Sequence, residues 1–200
     1  MYQICVSGAA KGKSVEEGKE LAIAAGKALA QAGCAVLTGA TTGLPHYAAM
    51  GAKEEGAQSI GISPAASKVE HVKKYQLPVA CYDVILYTGL HYVGRDSLLV
   101  SSSDAVISIG GRLGTLHEFA TAMEMDTPVG FIMGAGGVST EIRDILKAAG
   151  KRKHKNVIFD ADPKRLVKRL IKLLDAIYAD DIEIYRKAAH CDIRDKILAK

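Results

Sequence analysis

Short runs of β-branched and other apolar residues alternate along this chain with longer stretches whose apolar positions recur every three or four residues. The first pattern predicts strands over 2–7, 34–39, 58–63, 82–88, 104–110, 128–133 and 156–160. The second predicts helices over 14–32, 45–56, 92–102, 115–126, 140–149 and 162–178. Strands that are apolar throughout, separated by helices, describe a parallel sheet covered on both faces. With right-handed crossovers the fold class is α/β: a Rossmann-like, doubly wound, three-layer sandwich. The longest irregular-looking connection, 63–80, reads as the mobile or lid-like part. One nucleotide-binding domain over 1–178 is expected, followed by a C-terminal helical extension over 179–200.

Composition narrows the class. With 48% hydrophobic and 24% charged residues, a 200-residue chain has enough apolar material for one ordinary globular core. The absence of Trp weighs against a base-stacking platform for single-stranded nucleic acid. The net charge of +4 is concentrated in "KRKHK" (151–155) and "PKRLVKRLIKLL" (163–174). A nucleic-acid or membrane surface is one reading; a solvated helix face opposite Leu166, Leu170, Leu173 and Ile177 is the favoured one. Cys5, Cys34, Cys81 and Cys191 lie far apart with no paired spacing, which reads as reduced structural thiols in a cytoplasmic protein. "MYQICVSGAA" does not read as a secretory signal, and no apolar run approaches the ~20 residues of a membrane span.

Chemistry in such a sheet gathers beyond the carboxyl ends of the strands. Three strand exits are rich in small residues: "SGAAKGKS" (7–14), "TGATTGLP" (38–45) and "IGGRLGT" (109–115). Each leaves backbone N–H groups at a helix start, where phosphate is favoured. Candidate phosphate- or nucleotide-binding residues are therefore Ser7, Gly8, Gly39, Thr42, Gly43, Gly110, Gly111, Arg112, Gly114 and Thr115. Two better-known motifs fail. "GAAKGKS" is one residue short of the phosphate-loop spacing, with Ser7 where the first glycine belongs, and "GGRLGT" does not follow the dinucleotide fingerprint.

Thr115-x-x-Glu118 has the form of a capping box, with Glu118 folded back on the Thr115 N–H. It equally fits a catalytic carboxylate behind an anion-binding loop. Arg95 opens the helix before the fifth strand and Glu118 the helix after it, so both are expected to face one cleft.

Over "GRDSLLVSSSDAVISIGGRLGTLHEF" the chain resembles the lysine-decarboxylase-like family. That family includes the Lonely Guy cytokinin-activating phosphoribohydrolases and the molybdenum-cofactor carrier proteins. Arg95, Asp104, Ala105, Gly111, Gly114, Thr115 and Glu118 fall on its pattern of an Arg, an Asp-Ala strand opening and PGGxGTxxE, and "LTGATTGLPHYAAMGAKEEGAQSIGISP" (37–64) resembles its second Gly-rich turn. The resemblance spans about residues 2–160. It implies Arg95 and Glu118 as catalytic residues that cleave the N-glycosidic bond of a nucleoside 5′-monophosphate, giving free base and ribose 5-phosphate. The glycine loop would hold the phosphate.

Gly110 stands where the family has Pro, Arg112 where it has its second Gly, Asp96 where the hydrolases have Lys, Gly94 where they have an acid, and Pro45 where they have Met. These departures favour the carrier-like branch. Two functions therefore follow: a phosphoribohydrolase, and a non-catalytic binder or carrier of a nucleotide or molybdopterin-like phosphate. Neither reading requires a cofactor, and the six histidines show no metal-ligand spacing. The expected partners are a phosphorylated small molecule and a second copy of the chain, through the amphipathic helices after residue 162, with neither membrane nor nucleic acid.

Overall fold

The computed structural model describes residues 1–151 and 154–179. The chain runs β1 (Gln3–Gly8), α1 (Lys13–Gln31), β2 (Ala35–Thr38), α2 (Leu44–Glu54), β3 (Ser59–Ser63), α3 (Lys68–Lys73), β4 (Val84–Tyr87) and α4 (His91–Ser101). It continues as β5 (Ala105–Ile109), α5 (Leu113–Glu124), β6 (Val129–Ile132), a 3-10 turn (Gly137–Thr140), α6 (Ile142–Ala148), β7 (Val157–Asp160) and α7 (Pro163–Ile177).

The strands form one parallel sheet in the order β4-β3-β2-β1-β5-β6-β7. Alternation along each strand feeds two cores. Ile4, Val6, Val36, Ile107 and Ile109 meet α1, α2 and α7 through Ala22, Ala25, Leu29, Ala48, Leu166 and Leu170. Cys5, Leu37, Val106 and Phe131 meet α4, α5 and α6 through Leu99, Val100, Phe119, Ala122 and Ile142. Each fully buried Leu or Ile in these layers contributes about 1.5–3 kcal/mol, which is why apolar runs in strands fix the sandwich. Gly26 brings α1 onto α2: a Cβ there would collide with the Ala48 carbonyl.

Two local expectations need correction. The 63–80 connection is not loose, because it holds α3, capped by Ser67 and pinned by the buried His71. His71 Nδ1 lies 2.8 Å from Ser63 Oγ, and its Nε2 lies 3.0 Å from the Pro78 carbonyl. Helix α7 buries Leu166, Val167, Leu170 and Leu174, whereas Ile177 is 42% exposed. Its apolar face is thus rotated from the expected line, leaving the lysines on solvent as expected. The extension expected over 179–200 lies outside the described residues from 180 onward. Among the described residues, no helix is long and apolar enough to cross a membrane.

Candidate functional site

Strand β1 leads out to α1 on one face of the sheet, and its neighbour β5 leads out to α5 on the other. The two connections diverge, opening a crevice at the carboxyl ends of β1 and β5. The three Gly-rich exits do converge there, since β2, β1 and β5 are adjacent. Leu44 N donates to the Ala9 carbonyl at 2.8 Å, and Thr42 Oγ1 to the Ala10 carbonyl at 3.2 Å, joining the first two loops. Gly43, at φ +79°, lets the second loop pass so close that a Cβ would strike Ala9 O. Gly8 stands against Ile109 O in the same crowded junction.

The third loop turns through Gly110 and Gly111, at φ +58° and +97°. A Cβ on Gly111 would collide with Thr115. Its carbonyls are held from behind by the segment after β6: Ser139 Oγ donates to Gly110 O at 2.7 Å and Val138 N to Gly111 O at 2.9 Å. That fourth Gly-rich exit, "MGAGGVS" (133–139), was missed in sequence, although its glycine spacing is the same kind of signal. Arg112 is exposed and reaches across to donate to the Lys11 carbonyl at 3.2 Å, so it bridges the first and third loops. Gly114 faces open space.

Helices α1, α2 and α5 have Gly12, Gly43 and Arg112 at their N-cap positions, with no side-chain capping bond, whereas α7 is capped by Asp162. First-turn amides of an uncapped helix have no intrahelical acceptor and favour an anion. The capping-box expectation is overturned here. Helix α5 starts at Leu113, so Thr115 is its third residue and Glu118 its sixth, too far along to turn back on the helix start.

Glu118 instead points at β1, where Ser7 Oγ donates to its Oε2. It is 8% exposed, and its carboxyl is pushed up to about 7. Burial is the main cause and the nearby Asp96 carboxylate adds to it, against the Ser7 bond and the charges of Arg95 and His117. Beside Ser7 in the β1–β5 register, the Ser108 hydroxyl is buried with no hydrogen-bond partner among the described residues.

Arg95 is 4% exposed and is anchored through its Nε and Nη1. Its Nη1 donates to the carbonyls of Gly39 and, at 2.8 Å, Ile62, and its Nε donates to Asp96 Oδ1 at 3.0 Å. Gly39 is required for this: a Cβ would occupy the place of Nη1. Asp96 is the residue that sequence reading undervalued. It is buried, and its second oxygen lies 3.2 Å from His117 Nδ1, a half-exposed ring on α5. Asp96 thus links Arg95 on α4 to the helix that bears Glu118. Among the described residues there is no group of three or more His, Cys, Asp or Glu that could hold a metal ion.

Comparison with known proteins places this geometry. The sequence model of the SLOG cluster4 family (LDcluster4) matches residues 1–167. A protein of Archaeoglobus fulgidus, described only as uncharacterized, is 32% identical over 124 residues, covering 62% of this chain and 75% of that one. The molybdenum cofactor carrier protein of Chlamydomonas reinhardtii superposes with a TM-score of 0.69 at 28% identity, covering 86% of this chain and 98% of that one. The molybdenum cofactor binding protein of Rippkaea orientalis is 27% identical, with a TM-score of 0.65 over 88% of this chain and 96% of its own.

Proposed function

The chain belongs to the SLOG cluster4 family, and from that membership and the crevice geometry we propose that it is a nucleoside 5′-monophosphate phosphoribohydrolase. The phosphate sits on the Gly110–Thr115 loop, against the open amides of α5 and α1, with Arg112 and Thr42 at its rim. The ribose then lies over Ser7 and Glu118. The observation that carries this reading is Glu118: a buried carboxyl at the switch point, held by Ser7 and balanced near neutral pH. A carboxyl so poised is the ordinary requirement of an acid–base group working at neutral pH.

In its ionised form Glu118 takes a proton from a water molecule as the water oxygen bonds to C1′. The negative carboxylate stabilises the positive charge that develops on the sugar as the C1′–N bond breaks; the electron pair leaves with the base, which takes up the proton that Glu118 accepted, and the carboxylate is restored. Arg95 contributes its charge and holds the β2, β3 and α4 ends together; its Nε and Nη1 hydrogens are already committed to the protein.

That commitment favours a second reading, in which the crevice holds a nucleotide or a phosphorylated pterin-like ligand without turnover. The likeness to the Chlamydomonas carrier supports it. Incubation with a panel of nucleoside 5′-monophosphates, following free base and ribose 5-phosphate, separates the two. Base release supports the hydrolase; thermal stabilisation without release supports the carrier; neither effect overturns both.

A further inference from the structure

Displacement at C1′ puts the attacking water and the leaving base on opposite faces of the sugar, so one carboxyl cannot touch both at once. Glu118 stands on the water side in the reaction assigned above. The base nitrogen calls for a separate proton donor, because a purine or pyrimidine leaves poorly as an anion. With the phosphate on the Gly110–Thr115 loop and the ribose over Ser7, the base extends towards the ends of β2 and β3. Arg95 is anchored there, on the carbonyls of Gly39 and Ile62.

Few groups on that side can give up a proton. Arg95 keeps its charge at any working pH. Asp96 is 5% exposed and already accepts from Arg95 Nε. The Tyr82 phenol is bonded to Thr38 and pushed up to about 12, chiefly by burial. His46 packs on Tyr82 from α2, which covers the other face of the sheet, and burial holds its ring below the usual imidazole range.

His117 differs from all of these. It precedes Glu118 on the second turn of α5, its side chain is 38% exposed, and its charge bears on the Glu118 carboxyl. Its Nδ1 lies 3.2 Å from Asp96 Oδ2, while Arg95 holds the other oxygen of that carboxylate at 3.0 Å. Asp96 therefore accepts the hydrogen on Nδ1, and Nε2 is the nitrogen that exchanges a proton. A buried carboxylate that fixes the tautomer and direction of an imidazole in this way equips a histidine for acid–base work.

Resting on the phosphoribohydrolase reading, we propose that His117 is a second catalytic residue, the acid that protonates the departing base. Its Nε2 hydrogen passes to the base nitrogen as the C1′–N electron pair leaves. The neutral ring then regains a proton, by way of solvent, from Glu118, which took it from the attacking water. In net, the base has gained the proton that Glu118 accepted, and both side chains are restored.

Release rates for a series of ribosyl 5-phosphates, with leaving groups from adenine to 4-nitrophenolate, test this in the parent, His117→Gln and Glu118→Gln. Nitrophenolate leaves as a stable anion and needs no proton. For His117→Gln the expected result is a kcat lower by about 100-fold or more on the most basic leaving group. Its kcat on the least basic one, and its KM values, are expected to stay near the parent's. Glu118→Gln is expected to lose rate on all of them, because each needs an activated water. A His117→Gln loss that is equal across the series, or no loss, overturns the part assigned to His117 and leaves that of Glu118 standing. If His117→Gln and His117→Asn both fail to fold, the parent series decides. A shallow dependence of kcat on leaving-group basicity supports a proton donor, and a steep one overturns it. A parent that releases base from no nucleotide overturns the phosphoribohydrolase reading and this proposal together.

Discussion

Ser7, the penultimate residue of β1, donates its hydroxyl hydrogen to Glu118 on the second turn of α5, joining residues 111 positions apart at the switch point of the sheet. That bond stabilises the ionised carboxylate against burial. Ser7→Ala removes it, so the carboxyl is expected to rise further above about 7. The pH profile of kcat/KM for base release then shifts its acid-limb midpoint to higher pH.

Asp96→Asn acts in the opposite direction. It removes a negative charge that opposes ionisation of Glu118 and leaves an amide oxygen to accept from Arg95 Nε. The Glu118 carboxyl, followed by carbon-detected NMR, is expected to titrate at lower pH than in the parent. An unmoved or raised midpoint contradicts the part assigned to Asp96.

Stability carries the same signature. The Glu118 carboxyl is raised in the folded chain from 4.5 to about 7, so the folded state binds its proton more tightly than the unfolded state does. That stabilisation is fully present below about pH 4.5 and is lost as pH rises through about 7. Glu118→Gln keeps a neutral side chain at every pH, so it is expected to melt close to the parent at pH 5 and above it at pH 8.5. The difference corresponds to about 3 kcal/mol at most. Melting curves at the two pH values check it.

Gly39→Ala tests the anchoring of Arg95. The new methyl group takes the place of Nη1, leaving a buried guanidinium without its two carbonyl acceptors. A loss of about 3 kcal/mol, or a Tm lower by about 10 °C, is expected in thermal melts.

The layers, the seven strands and the convergence of the Gly-rich exits were legible because periodicity and strand-exit glycines are local signals. Alternating burial along β1, with Ile4 and Val6 to one core and Cys5 to the other, is written in the sequence. The pairing of Ser7 with Glu118 was not, because nothing local says that a serine in one strand faces a helix 111 residues away. Thr115-x-x-Glu118 misled for a related reason: capping-box spacing is meaningful only where the helix begins, and α5 begins two residues earlier, at Leu113. Asp96 was read as a departure from a family pattern, whereas its value lies in the contacts with Arg95 and His117 that only the fold creates.

The central claim rests on the Glu118 carboxylate, and base release by the parent and by Glu118→Gln tests it most directly. The variant keeps the size and the hydrogen-bonding oxygen that meets Ser7, but can neither accept a proton from water nor carry negative charge. The parent is expected to release free base and ribose 5-phosphate from at least one nucleoside 5′-monophosphate, and Glu118→Gln to bind that nucleotide with a rate lower by about 100-fold or more. Undiminished release by the variant, or none by a parent that binds the nucleotide, contradicts the assignment.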